Sequence, residues 1–314
     1  MHTMLPLLFH MTEKVPLAQR LNSNIFVNLF HQLGIEFWMV ALFPFYIGYV
    51  VSSEQLIPDG RGILAGIIVG PWMAAFTFLF NDYYDVEDDR INPRKAKYSM
   101  IYKRELKPEM ILKISIIVGL TGLALSFVIS ETMFALTLGI YLLSVMYSHR
   151  SIRLKARGGL DLLTNMIGLG LLCPLAGWSI HRPILEFPVF YLLSIFFVLG
   201  ALYAPTTVAD YDADKANNVN TLAVKFGKKN AIWIGEILLI IGMAILFFEG
   251  VFEDGPWTRD YLYVTWPFLV SQPFVYMWFL RESNLINIYL GIICVNAIQA
   301  IGVMVFLLLY VGAV

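Results

Sequence analysis

Two short acidic runs interrupt an otherwise apolar chain: Asn81-Asp82-Tyr83-Tyr84-Asp85-Val86-Glu87-Asp88-Asp89-Arg90, and Asp210-Tyr211-Asp212-Ala213-Asp214. On a continuous helix Asp82, Asp85 and Asp89 fall at i, i+3 and i+7, within about 60° of one another. Asn81 and Asp85, four apart, share the neighbouring strip, and Asp210 and Asp214 repeat that spacing. Like charges on one helix face repel by a few tenths of a kcal/mol per exposed pair, and by more when partly buried. Hard divalent cations are the natural offset, because magnesium binds one or two carboxylates, several waters and phosphate oxygens. Two such clusters facing each other form a site for a diphosphate bridged by metal ions, with negative charge developing on the leaving group. The plainer reading is a pair of solvated helix ends at a membrane surface.

Basic residues surround both runs. Arg90, Arg94, Lys95 and Lys97 follow the first, and Arg150, Arg153, Lys155 and Arg157 lie between the two. A pyrophosphate leaving group needs cationic donors as well as metal. Membrane topology alone would also place basic residues in these loops.

The elements that must hold these groups are membrane helices. Of the 314 residues, 58% are hydrophobic and 14% charged, whereas soluble globular domains carry about 25% charged residues. Runs near the length of a bilayer span, about 20 residues, extend over Ile25 to Val51, Ile63 to Asn81, Pro108 to Ile129, Met133 to Tyr147, Leu160 to Ile180, Pro188 to Ala209, Ala231 to Phe248, Tyr261 to Leu280 and Leu285 to Val311. The expected fold is therefore all-α, a polytopic membrane protein of about nine transmembrane helices. Residues 1–314 form one domain with a tail at 1–24, whose apolar stretch from Met4 to Phe9 lacks the flanks of a cleaved signal peptide. With nine spans, all of the 22 Lys and Arg except Arg61, Arg182 and Arg259 fall on one side. The positive-inside rule makes that side cytoplasmic, together with the N-terminus and both acidic clusters. An integral protein of the cell membrane is expected, with membrane lipid around it and no nucleic acid as partner.

These residues resemble the UbiA superfamily of intramembrane prenyltransferases. Asn81 to Asp89 reads as NDxxDxxxD and Asp210 to Asp214 as DxxxD, the two signature motifs. The stretch from Asp214 to Gly227 is similar to the family's DRxxGxxTLxVxxG, and Tyr147-Ser148 followed by Arg153-Leu154-Lys155 resembles its YSxxxxRLK. The resemblance implies a helical bundle around a lipid-accessible cavity. It further implies magnesium-assisted ionisation of an allylic prenyl diphosphate to a carbocation, which a lipophilic acceptor captures. Carried over, Asn81, Asp82, Asp85, Asp89, Asp210 and Asp214 would hold metal, two Mg2+ ions by expectation. Asn81, Arg94, Arg153 and Lys155 would bind the diphosphate. Tyr147 would join Asp85, Asp89, Asp210 and Asp214 as a catalytic residue, its π face stabilising the allylic cation. Quinone-precursor aromatics, glycerol-phosphate lipids, tetrapyrroles and carotenoids all serve as acceptors on this scaffold.

Three positions depart from the family pattern. Asn92-Pro93-Arg94-Lys95 replaces the start of RPxxRPxPSG and looks more like the branch that elongates carotenoids. Asn218 stands where a glycine is usual, a substitution that a left-handed backbone accepts. Glu36 occupies the first span where an arginine is common, and an ionisable group there is a functional candidate by default. Glu236 and Lys113 sit close enough to span ends to snorkel and read as structural, while Cys173 and Cys294 read as packing residues. Two other classes use similar groups. A phosphoalcohol transferase needs one continuous aspartate motif, which is absent, and a cation transporter needs carboxylates at mid-membrane depth beside broken helices.

Overall fold

The computed structural model describes residues 33–34, 37–86, 106–252, 256–281 and 284–313. Glu36, Asp89 and Arg94 lie outside them. The architecture is almost wholly helical, and among the described residues the one β-type feature is an isolated parallel bridge between Arg157 and Asn220.

The helices are α1 (Trp38–Ser53), α2 (Gly60–Tyr84), α3 (Pro108–Ile129), α4 (Glu131–Ser148), α5 (Leu160–Trp178), α6 (Val189–Ala209), the short α7 (Tyr211–Ala216) and α8 (Leu222–Phe226), then α9 (Lys228–Phe252), α10 (Arg259–Leu280) and α11 (Leu285–Tyr310). Seven of these, α2 to α6, α9 and α11, are long and apolar enough to cross a bilayer. Of the expected span Ile25 to Val51, residues 25–32 and 35–36 lie outside the described residues and the rest holds α1, while the expected span Tyr261 to Leu280 is helical as α10. The 16-residue α1 is shorter, and the 22-residue α10 is diluted by Tyr, Trp and Gln.

Local chemistry sets the boundaries. Asp59 accepts from the Gly62 N–H at 2.7 Å to start α2, and Ser130 accepts from the Met133 N–H at 3.0 Å to start α4, each satisfying an orphan donor of the first turn. Pro108 stands at the first turn of α3, where its missing N–H costs nothing. Both α2 and α5 contain a π-helical turn, Ile68–Trp72 and Gly168–Leu172, with Pro71 inside the first and Pro174 just after the second. Proline removes one backbone donor, and a wider turn with neighbouring helices re-satisfies the freed carbonyls.

Backbone meets backbone between α1 and α5. A Cβ on Gly48 would lie 2.0 Å from the Pro174 carbonyl oxygen, and one on Gly177 would lie 1.9 Å from that of Phe45. Bare glycines therefore let the two backbones touch, the usual means of close helix association in lipid. The longest seam joins α6 to α9. Outward faces carry Ile117, Leu120, Phe127, Phe248, Phe274 and Trp278, all exposed, as lipid-facing surfaces require. Cys173 is buried and Cys294 partly so, and both are free thiols. Lys113 is exposed, but Glu236 does not snorkel: it is buried on α9, and its Oε2 has no hydrogen-bond partner among the described residues.

Candidate active site at one end of the bundle

The acidic motifs meet the chain at helix ends. Asn81 and Asp82 occupy the last turn of α2, which stops at Tyr84, so Asp85 is the C-cap. The expected continuous helix through Asp85 is therefore a turn at that residue, with φ −98° and ψ 3°. The Asp85 N–H still donates to the Asn81 carbonyl at 2.9 Å, which preserves the shared strip. The second motif behaves alike. Asp210 interrupts the run between α6 and α7, and the Asp214 N–H donates to its carbonyl at 2.9 Å.

The first cluster closes on a lysine. Lys155 and Asp85 are both buried and form an ion pair, in which the Nζ contacts both carboxylate oxygens. The same Nζ donates to the Asn81 Oδ1 at 2.9 Å, and the Ser148 hydroxyl donates to that oxygen at 2.9 Å. Asn81 and Asp85 thus already aim their oxygens at one cation. That donor set, an amide oxygen and a carboxylate, suits magnesium completed by phosphate oxygens and water. Among the described residues no three His, Cys, Asp or Glu side chains converge as a metal group, and Asp89 lies outside them.

The second cluster receives both a hydroxyl and an ammonium donor. Thr221 donates to the Asp214 Oδ2 at 3.1 Å, and the exposed Asp212 pairs with Lys228 at 3.2 Å. The loop after Asp214 turns back through Asn218, whose φ of 55° is left-handed, the conformation a glycine would otherwise supply.

The segment between α4 and α5 ties the clusters together. It supplies Lys155 to the first and pairs its backbone at Arg157 with Asn220 beside the second. Arg153 begins its short 3-10 turn, Leu154–Ala156, in a left-handed conformation at φ 48°. Lys225 donates to the Gly158 carbonyl at 2.9 Å. Asp161, fully buried at the start of α5, accepts from the backbone N–H groups of Leu222 and Gly159, each at 2.7 Å. One carboxylate therefore locks the α4–α5 segment to the loop that follows the second motif.

Tyr147, in the last turn of α4, hydrogen-bonds the Tyr203 hydroxyl at 3.1 Å. Tyr203 in turn reaches the Asp161 Oδ2 at 3.5 Å, and Asp161 and Asp214 both act electrostatically on Tyr147. Asn81, Asp85 and Lys155 are thus in direct contact, while Tyr147 and Asp214 belong to one electrostatic neighbourhood. Ser148 and Thr221 stand inside quoted motifs yet had no assigned task. Asp161 had a usable signal: a carboxylate opening a membrane span invites a search for its partner. Tyr203 had none, since one tyrosine in an apolar run looks like any other.

A bundle of apolar helices with acidic motifs at helix ends and a buried lysine between the Asn81 and Asp85 oxygens is the architecture of an intramembrane enzyme. The chain belongs to the UbiA prenyltransferase family, whose model matches residues 41–289. It is 30% identical over 202 residues to a digeranylgeranylglyceryl phosphate synthase of Sulfurisphaera tokodaii, covering 62% of this chain and 68% of that one. It is 26% identical over 214 residues to a lycopene elongase/hydratase of Corynebacterium glutamicum, covering 67% and 72%. The fold matches that of a UbiA homolog from Archaeoglobus fulgidus solved with DMAPP and Mg2+, with a TM-score of 0.71 at 21% identity, over 93% of this chain and 100% of that one.

Proposed function

We propose that this protein transfers a prenyl group from an allylic prenyl diphosphate to a lipophilic acceptor, with Asn81, Asp82, Asp85, Asp89, Asp210 and Asp214 as the magnesium-binding face. The observation that carries the assignment is the convergence of Asn81 and Asp85 on the Lys155 ammonium, on a segment that also braces the second cluster. Bound magnesium, two ions in this reading, would neutralise diphosphate charge and stabilise the leaving group. Lys155, Arg153 and Arg94 supply the remaining cationic donors, gripping phosphate oxygens as charge grows on them. The bond from the allylic carbon to the diphosphate oxygen breaks with its electron pair leaving on oxygen. The resulting cation is held beside the Tyr147 ring. An electron pair of the acceptor then closes the new bond, and the acceptor loses a proton. Dry walls formed by the bundle keep water from intercepting the cation.

The basic loops support a cytoplasmic orientation of this end in the cell membrane. The names of the two relatives put glycerol-phosphate lipids and carotenoids first among acceptors to test. The deciding experiment is pyrophosphate release from geranylgeranyl diphosphate by purified protein in detergent with a lipid extract, with magnesium or with chelator. Magnesium-dependent release accompanied by a new prenylated lipid is expected. Release that persists in chelator would remove the metal role, and its absence with every chain length and extract would remove the prenyltransferase assignment.

A further inference from the structure

Tyr203 lies on α6 two residues before Pro205. A proline has no N–H for the carbonyl one turn back, and here the Ala201 carbonyl instead accepts from the Tyr276 hydroxyl of α10 at 3.1 Å. The Tyr203 carbonyl itself accepts from the Thr206 hydroxyl at 2.7 Å. The turn that carries Tyr203 is therefore braced both by a neighbouring helix and along its own backbone.

Its side chain stands between two groups of the site. The Tyr203 and Tyr147 hydroxyls are 3.1 Å apart, and Tyr203 donates to the Asp161 Oδ2 at 3.5 Å. That carboxylate is fully buried and already fixed by the Leu222 and Gly159 N–H groups, each at 2.7 Å. Because Asp161 is the acceptor, the Tyr203 proton is committed to it, and the bond between the tyrosines runs from Tyr147 to Tyr203. Asn165, one turn after Asp161 on α5, also hydrogen-bonds Tyr147, and its own amide donates to the Asp161 carbonyl at 2.9 Å. The hydroxyl end of Tyr147 is thus clamped by α5 and α6 together, while the adjacent Ser148 reaches Asn81 in the first cluster. Attraction between a cation and a ring requires the cation over the ring face, within about 6 Å of its centroid. A ring free to swing would lose that alignment, and small misplacements of a reacting pair are costly.

We propose that Tyr203 is a positioning residue for prenyl transfer: through its hydroxyl it holds the Tyr147 ring against the allylic carbon, and Asp161 sets the direction of that bond. The inference rests on the proposed prenyl chemistry, with Tyr147 as the ring beside the cation.

The test is a double-substitution cycle on the full-length protein. It is read as single-turnover pyrophosphate release from geranylgeranyl diphosphate, with magnesium and lipid extract. Tyr203→Phe keeps the ring and removes the hydroxyl. It should lower the maximal rate about three- to tenfold and move the half-saturating diphosphate concentration by less than about twofold. Tyr147→Phe should show a loss of the same size, and adding Tyr203→Phe to it should lower the rate no further. Losses that multiply in the double variant overturn the proposal, since Tyr203 would then act without Tyr147. A change confined to the half-saturating concentration marks a binding role and overturns it as well. So does a full rate in either single Phe variant. Should Tyr203→Phe fail to fold, Tyr203→Met takes its place in the same cycle. Tyr147→Leu, which deletes the ring, separates this proposal from the reading beneath it. Unchanged turnover in that variant removes Tyr147 from the reaction, and no release by the parent protein removes the prenyl chemistry itself. Either result overturns the proposal through its premise, whereas multiplied losses overturn it alone.

Discussion

The two acidic clusters repeat one four-residue spacing, yet the protein holds them differently. Asp85 is buried and neutralised by a buried lysine. Asp214 is half-buried and receives a threonine hydroxyl, while its neighbour Asp212 faces solvent opposite Lys228. A desolvated carboxylate is tolerable only when paired, and the pair becomes costly to break from one side. The buried first cluster should therefore couple stability to the proposed chemistry more tightly than the half-buried second.

That contrast can be broken by mutation. Asp85→Ala should lower pyrophosphate release a hundred- to thousandfold. It should also destabilise the fold by about 3–5 kcal/mol, because it strands Lys155 in a buried site. Adding Lys155→Met to Asp85→Ala should recover most of the lost stability and none of the turnover, as read by detergent-solubilised thermal melts beside product assays. Asp214→Ala should lose turnover to the same extent with a smaller fall in Tm, because Asp214 is only half-buried, and a fall as large as that of Asp85→Ala would erase the distinction between the clusters. Asp161→Ala leaves two backbone N–H groups unanswered. It should lower kcat about tenfold by loosening the segment that joins the clusters, with Asp161→Asn recovering part of that loss. Thr221→Val, the mildest change, removes one hydroxyl bond to Asp214 and should cost about 0.5–1.5 kcal/mol, with a rise in KM for the prenyl diphosphate.

The membrane bundle was legible in the sequence because apolar runs of span length have few other uses. Both clusters were legible because like charges at helical spacing demand a counter-charge. The partners were not. Lys155 meets Asp85 across 70 residues, and the Leu222 N–H meets Asp161 across 61. No local pattern in one sequence records such encounters. Asn218 is the exception, since asparagine in a glycine position already announces its left-handed backbone. Glu236 shows the opposite error. Depth along α9 suggested a route to the surface, whereas the rotational phase of the helix buries it, within electrostatic reach of Tyr276. Phase depends on which neighbour a helix chooses, and that choice is tertiary.

The glycine contacts of Gly48 and Gly177 impose an asymmetry on how the bundle can breathe. Where Gly48 and Gly177 bring backbone against backbone, no side-chain rotamer is available to absorb a lateral shift between α1 and α5. This flank is a fixed wall, and any widening that admits a bulky lipid must occur along seams lined by long, adjustable side chains. Efforts to enlarge the range of acceptors should leave the glycine wall untouched and trim side chains on the opposite flank.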